Sequence, residues 1–192
     1  MLITSMKKIP DNAKKVFEGE RFSVWQWQQQ LFDGSSKIFE SVTRNDVSTI
    51  ITVTDDGKLL FLKEEQSGKP LVYTFPSGTL EENDSPLLCA ERELLEETGY
   101  KASSFAHWYT KSAGSSVDFD YHIFIAKGAK RDREQKLDPG EKIEIEEKTL
   151  EEILEIIEDI KFKNPTLYPI LIKAKYSENY RKELKELLGI TT

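Results

Sequence analysis

One cysteine, Cys89, in a chain of 192 residues leaves no partner for an internal disulfide and too few thiols for a cysteine-based zinc site. No apolar run approaches the ~20 residues that cross a bilayer, so a membrane is not an expected partner. The opening MLITSMKKIP has no long apolar stretch followed by a small-residue cleavage site, and a cytoplasmic location is expected. Basic charge is also short. The net charge of −7 disfavours nucleic acid as a partner, because neutralising phosphates needs a basic surface. An acidic protein that handles phosphates needs a metal ion to reconcile the two charges. What is present is a globular composition: 38% hydrophobic and 32% charged residues, without low-complexity tracts. The length suits one compact domain with an appendage.

Residues 21–28, RFSVWQWQ, alternate apolar and polar side chains with the period of a half-buried strand. FDGSS reads as a turn, and Lys37–Val42 pairs back as a hairpin. Residues 1–44 are therefore expected to form an N-terminal hairpin segment ahead of a main domain over 45–192. The β-branched run STIITVT (48–54), the turn TDDGK and the return LLFLKEE open that domain, and LVYTF adds another strand. The loop PSGTLEENDSP closes on Asp84, Ser85 and Pro86, a capping signal with proline at a first helical position. The helix should then run to Thr98 and stop at Gly99. Strands follow near Phe105–Thr110, Asp118–Ala126 and Lys142–Glu147. TLEEILEIIEDI (149–160) reads as an amphipathic helix, Asn164 and Pro165 open another helical stretch, and SENYRKELKELL (177–188) is a polar tail helix. This order predicts an α+β fold with a mixed sheet between helices and an antiparallel hairpin appendage.

At about 100° per residue, Leu87, Ala90 and Leu94 share one helix face, and Glu93, Glu96 and Glu97 share a neighbouring one. Three carboxylates that close repel each other, most of all near a helix C-terminus, and a cation removes the penalty. Magnesium suits them, being a hard ion that takes oxygen ligands and keeps waters for exchange with phosphate oxygens. On the carboxylates alone, a solvated acidic face explains the pattern equally well.

The surroundings decide between the two. Gly78, five further residues, Asp84, seven more, then RELLEETGY from Arg92 to Tyr100, resemble the Nudix box. The resemblance implies an α/β/α sandwich and a pyrophosphohydrolase that cleaves a phosphoanhydride in a nucleoside-diphosphate derivative. It makes Glu93 and Glu97 the principal magnesium ligands, with manganese as the substitute ion and Glu96 supporting a further ion or its waters. Arg92 would serve catalysis by holding the loop against the helix through an ion pair. Gly78 would let the strand turn so that the Ser77 carbonyl approaches the metal, beside the substrate. Asp84 stands where such families usually have glutamate, and it also lies where a helix N-cap belongs.

TFPSG ahead of the box, the tract after it and the N-terminal hairpin resemble the ADP-ribose and nucleoside-diphosphate-sugar branch, over roughly 22–159. In that branch the N-terminal strands pair two subunits and supply aromatics for the base. The resemblance thus implies a homodimer, with Trp25 and Trp27 on one strand face as base-stacking candidates; a plain core or interface pair is the alternative. Ala113 falls where the branch often has proline. A nucleoside triphosphate or dinucleoside polyphosphate hydrolase and a non-catalytic ligand sensor are the competing readings. Cys89, His107 and His122 read as packing residues. For the general base, the branch implies a loop glutamate before the last core strand: Glu141, at the exit of the Asp138-Pro139-Gly140 turn, ahead of Glu134 and Glu144.

Overall fold

The computed structural model describes residues 9–114 and 116–190, so residues 1–8 of the N-terminal segment lie outside the described residues. Three strands open the chain: β1 (Lys14–Glu18), β2 (Ser23–Gln30) and β3 (Ser36–Thr43). The expected hairpin is β2 with β3, in register from Ser23 opposite Thr43 to Gln30 opposite Ser36. It is larger than expected, because β1 pairs antiparallel with β2 on its outer side.

The main domain begins with β4 (Val47–Thr54) and β5 (Leu59–Gln66), followed by the short β6 (Val72–Thr74) and β7 (Ser77–Thr79). Helix α1 (Pro86–Thr98) comes next, then β8 (Tyr100–Lys101), β9 (Ser104–Ser112), β10 (Val117–Asp118), β11 (Asp120–Arg131) and β12 (Glu141–Lys148). Helices α2 (Leu150–Ile156), α3 (Tyr168–Tyr176) and α4 (Glu178–Leu188) close the chain. The central path runs β12-β5-β4-β11, with β4 and β11 parallel and β12 and β5 antiparallel, so the sheet is mixed. Strand β10 lies parallel to β3 and ties the N-terminal sheet to the main domain.

Alternation along β4 sends its side chains to two cores. Ile51 and Val53 join Phe61, Phe75, Ile153, Leu171 and Leu184 under α2, α3 and α4. Ile50 joins Leu60, Ala90, Leu94, Phe124 and Ala126 under α1. Helices therefore cover both faces of the sheet, which is the expected sandwich. No helix among the described residues is long and apolar enough to cross a membrane.

Helix α2 is shorter than the amphipathic pattern of 149–160 suggests. It starts on a capping box, Thr149 with Glu152, but ends at Ile156. Beyond it the Asp159 carboxylate accepts the Lys161 N–H at 2.8 Å and the Asp159 carbonyl accepts the Phe162 N–H at 2.9 Å, so a side chain and a turn replace the next helical bonds.

Candidate active site

Helix α1 is fixed at both ends by local chemistry. Ser85 is its N-cap, accepting the Leu88 N–H at 3.2 Å, with Pro86 following. Gly99 ends it in the left-handed conformation at φ 72°, and a Cβ there would stand 2.1 Å from the Arg133 carbonyl oxygen. Because Ser85 caps the helix, Asp84 is released for another task. Its carboxylate accepts from Arg92 Nη2 at 3.0 Å and from the Glu81 N–H at 3.2 Å, and the Arg92 bond holds its pKa below the usual value. The shorter acid reaches Arg92 after all.

Arg92 is the knot of this corner. Its guanidinium also donates to the Thr79 carbonyl at 3.2 Å and to Glu93 Oε1 at 2.7 Å, with Glu96 Oε2 at 3.5 Å. The loop after β7 is thereby tied to the helix.

Glu97 is 8% exposed, with its Oε2 accepting the Ser77 N–H at 2.9 Å. Burial first, and the neighbouring Glu93 charge second, push its pKa well above the usual carboxylate value. Burial also raises Glu93, against the pull of Arg92. The strand carrying Ser77 passes so close to Glu93 that a Cβ on Gly78 would lie 1.8 Å from the Glu93 Cδ. Glycine is required there for clearance rather than for a sharp turn.

These residues line a cavity of about 610 Å³. Ser77, Gly78, Arg92, Glu93, Glu96, Glu97 and Glu141 all face it, so the expected catalytic and metal residues come together, whereas Trp25 and Trp27 are not among its lining residues. Trp25 instead donates to Thr43 Oγ1 at 3.0 Å, and the Trp27 ring lies 6.1 Å from that of Phe39. Glu141, first residue of β12, accepts from Gln66 Nε2 at 3.1 Å. Burial and the charge of Glu64 raise its pKa. Of the other two loop acids, Glu134 pairs with Arg131 and is 88% exposed, and Glu144 pairs with Lys63.

Sequence reasoning missed Glu64, Gln66, Arg21 and Arg44 as wall residues. Glu64 and Gln66 come from the end of β5, where LLFL gives way abruptly to KEEQ; that switch marks a strand leaving the core. Arg44 bridges β3 and β4. It donates to Thr79 Oγ1 at 2.9 Å and lies 4.9 Å from the Phe119 ring and 5.9 Å from the Phe22 ring, and no carboxylate pairs with it among the described residues.

The donor set fits a hard divalent cation: carboxylate oxygens on one helix, two of them desolvated, in a cavity where acids outnumber bases. Among the described residues no three such side chains converge at ligand spacing; Glu93 and Glu96 turn toward Arg92 instead.

The profile of the NUDIX domain matches residues 43–169. An ADP-ribose pyrophosphatase of Bacillus subtilis (strain 168) is 33% identical over 152 residues, 76% of this chain and 80% of that protein. A methanol dehydrogenase activator of Bacillus methanolicus is 30% identical over 77% of this chain and 81% of its own length. Among solved structures, one titled an ADP compounds hydrolase superposes with a TM-score of 0.74, covering 94% of this chain and 95% of that one, at 19% identity. With Arg92, Glu93, Glu96 and Glu97 of the box gathered on α1 at one cavity and a domain match spanning most of the chain, this protein belongs to the Nudix family.

Proposed function

We propose that the chain is a magnesium-dependent pyrophosphohydrolase that cleaves ADP-ribose or a nucleoside-diphosphate sugar into a nucleoside monophosphate and a sugar phosphate. One observation carries the reading: a single cavity joins desolvated carboxylates, Glu93 and Glu97, to guanidinium groups, Arg21 and Arg44, that can take a diphosphate. The name of the Bacillus subtilis relative supports the same substrate class. Magnesium, or manganese in its place, held by Glu93, Glu97, Glu96 and the Ser77 carbonyl, would neutralise diphosphate charge and supply a bound water of lowered pKa.

The chain's own residues then divide the work. Arg44 and Arg21 orient the diphosphate from the far wall. Glu141 takes the proton of the attacking water, and its raised pKa brings it nearer the operating pH, where a general base is most effective. Gln66 holds the Glu141 carboxylate in place. Arg92 keeps the end of β7, the strand that carries Ser77 and Gly78, and the loop after it against α1.

The proposal includes a homodimer formed through the N-terminal sheet. Phe17 on β1 and Ile38 and Phe39 on β3 are exposed there, an apolar surface that a second subunit would cover. Trp25 and Trp27 would stack on the base bound in the partner subunit's cavity. Sedimentation at micromolar concentration should show a dimer; a monomer alone would remove both statements.

The test is a hydrolysis panel of ADP-ribose, nucleotide sugars, dinucleoside polyphosphates and nucleoside triphosphates, with magnesium, with manganese and with a chelator. Diphosphate-linked sugars should be cut fastest and the chelator should abolish turnover. Preference for triphosphates or dinucleoside polyphosphates would replace the substrate class. Binding without turnover of any compound would turn the enzyme into a sensor.

A further inference from the structure

Behind the Arg44 wall of the cavity runs a polar chain that does not itself line it. It starts at a β-bulge. Tyr109 pairs with Ile123 and His107 with Phe124, leaving Trp108 as the extra residue of β9. One inserted residue changes the alternation, so His107 and Thr110, three apart, come to the same face. Thr110 Oγ1 is 2.9 Å from His107 Nε2 and 3.1 Å from His122 Nδ1, and His122 Nε2 is 2.9 Å from Asp46 Oδ2. One assignment satisfies all three contacts with both rings neutral: His107 donates to Thr110, Thr110 donates to His122, and His122 donates to Asp46.

Asp46 is where the chain ends, and it is pinned on all sides. Its Oδ1 accepts the Asp120 N–H at 2.8 Å and its carbonyl accepts the Leu80 N–H at 2.9 Å. It belongs to the short link, residues 44–46, between β3 and β4, which lacks a strand ladder and depends on side chains for its place. Asn45 donates to the Leu80 carbonyl at 2.8 Å, and Arg44 to Thr79 Oγ1 at 2.9 Å. The same clasp also sets the ring under Arg44: Asp120, held by Asp46, directly follows Phe119, whose ring lies 4.9 Å from the guanidinium.

The geometry points to the His122–Asp46 clasp as a positioning device that fixes the 44–46 link and Phe119 together, so that Arg44 meets the substrate's diphosphate. His122 and Asp46 act through Arg44; neither lines the cavity itself. The inference rests on the reading of the cavity as a diphosphate site.

The test is a double-mutant cycle on the full-length protein with magnesium and ADP-ribose, comparing wild type, His122→Phe, Arg44→Ala and the double variant. His122→Phe should raise KM about tenfold, the scale of a lost hydrogen bond to a charged group, with kcat within about twofold of wild type. In the Arg44→Ala background the same substitution should change KM by less than about twofold, since coupled residues are not additive. His122→Gln, which keeps a donor for Asp46, should restore most of the affinity. Additive effects in the cycle, or an unchanged KM in His122→Phe, would overturn the proposal. If His122→Phe melts early, Thr110→Val takes its place in the cycle: it frees the His122 ring, and its KM rise of about twofold to threefold should vanish without Arg44. If the wild type hydrolyses nothing in the panel, the functional reading fails on its own. The clasp is then judged by the affinity for inorganic pyrophosphate across the same variants, and equal affinities in wild type and His122→Phe would dismiss it.

Discussion

The two faces of the central sheet are built from different materials. Under α2, α3 and α4 lies an aromatic and aliphatic core in which Phe61 meets Phe75 at 5.2 Å, Tyr73 at 6.1 Å and Phe162 at 6.2 Å between ring centroids. Under α1 the apolar cluster is small, and part of the buried volume is given to carboxylates, of which Glu97 is 8% exposed. Burying a charge without a full partner costs free energy, so the α1 face is the less stable side and the other face must hold the fold for both. One sheet thus separates stability from chemistry, and α1 is held by Ala90 and Leu94 packed on the sheet, by its caps and by the Arg92 knot.

This separation can be broken by exchanging damage between the faces. Phe61→Ala should lower unfolding free energy by about 3–5 kcal/mol, because a large buried ring leaves a cavity. Whatever protein remains folded should keep its kcat. Glu97→Gln should do the reverse: turnover falls about 10²–10³-fold, the scale of losing one preorganised charge-stabilising group, while urea unfolding without metal shows equal or greater stability. If Glu97→Gln unfolded as readily as Phe61→Ala, the two faces would not be separate.

A smaller effect sharpens the boundary at one atom. In Gly78→Ala the new methyl would meet the Glu93 carboxyl, the movable end of a side chain, so the carboxylate must swing away while the backbone stays. The magnesium concentration for half-maximal activity should rise about tenfold, with stability changed by less than about 1 kcal/mol, as for most changes outside the core. A large loss of stability with unchanged magnesium dependence would place Gly78 in the fold rather than in the site.

The same contrast explains which parts were legible in the sequence. Glu93, Glu96, Glu97 and Arg92 lie on one helix, where spacing alone fixes neighbours. Asp84 and Gly78 stand at fixed separations from that helix. Glu64, Gln66 and Arg44 reach the cavity only because β12, β5 and β4 lie side by side, an order set by long-range pairing that no local pattern displays. The cross-strand match of Glu141 with Gln66 is of this kind. His107 and His122, read as packing residues, are joined by a bulge whose extra residue a strand pattern cannot reveal. The missed β1, KKVFE, has every residue exposed and so carries no burial signal at all. The last helix was legible because Ser177 and Gly189 cap α4 in the ordinary way.

The smallest expected effect asks whether the polar border of the α1 side contributes any stability of its own. Burial pushes the Asp46 carboxyl up, but the hydrogen bonds it accepts from His122 and from the Asp120 N–H outweigh it and hold the pKa below the usual value. A carboxyl with a lower pKa folded than unfolded adds stability above its unfolded value of about 3.9, and loses it as pH falls through the folded value. Asp46→Asn removes that ionisation and keeps an acceptor for Asp120. At pH 7 it should melt about 2–4 °C below wild type, the shift that ~1 kcal/mol gives a chain of this size. Partial solvent exposure of Asp46, 35% of its side chain, keeps the gap at that scale or under it. Melting curves followed from pH 7 to below pH 3 should show the gap close only in the acid part of that range. A gap that persists undiminished in acid would mean that the charge of the carboxylate is not what secures the link before β4.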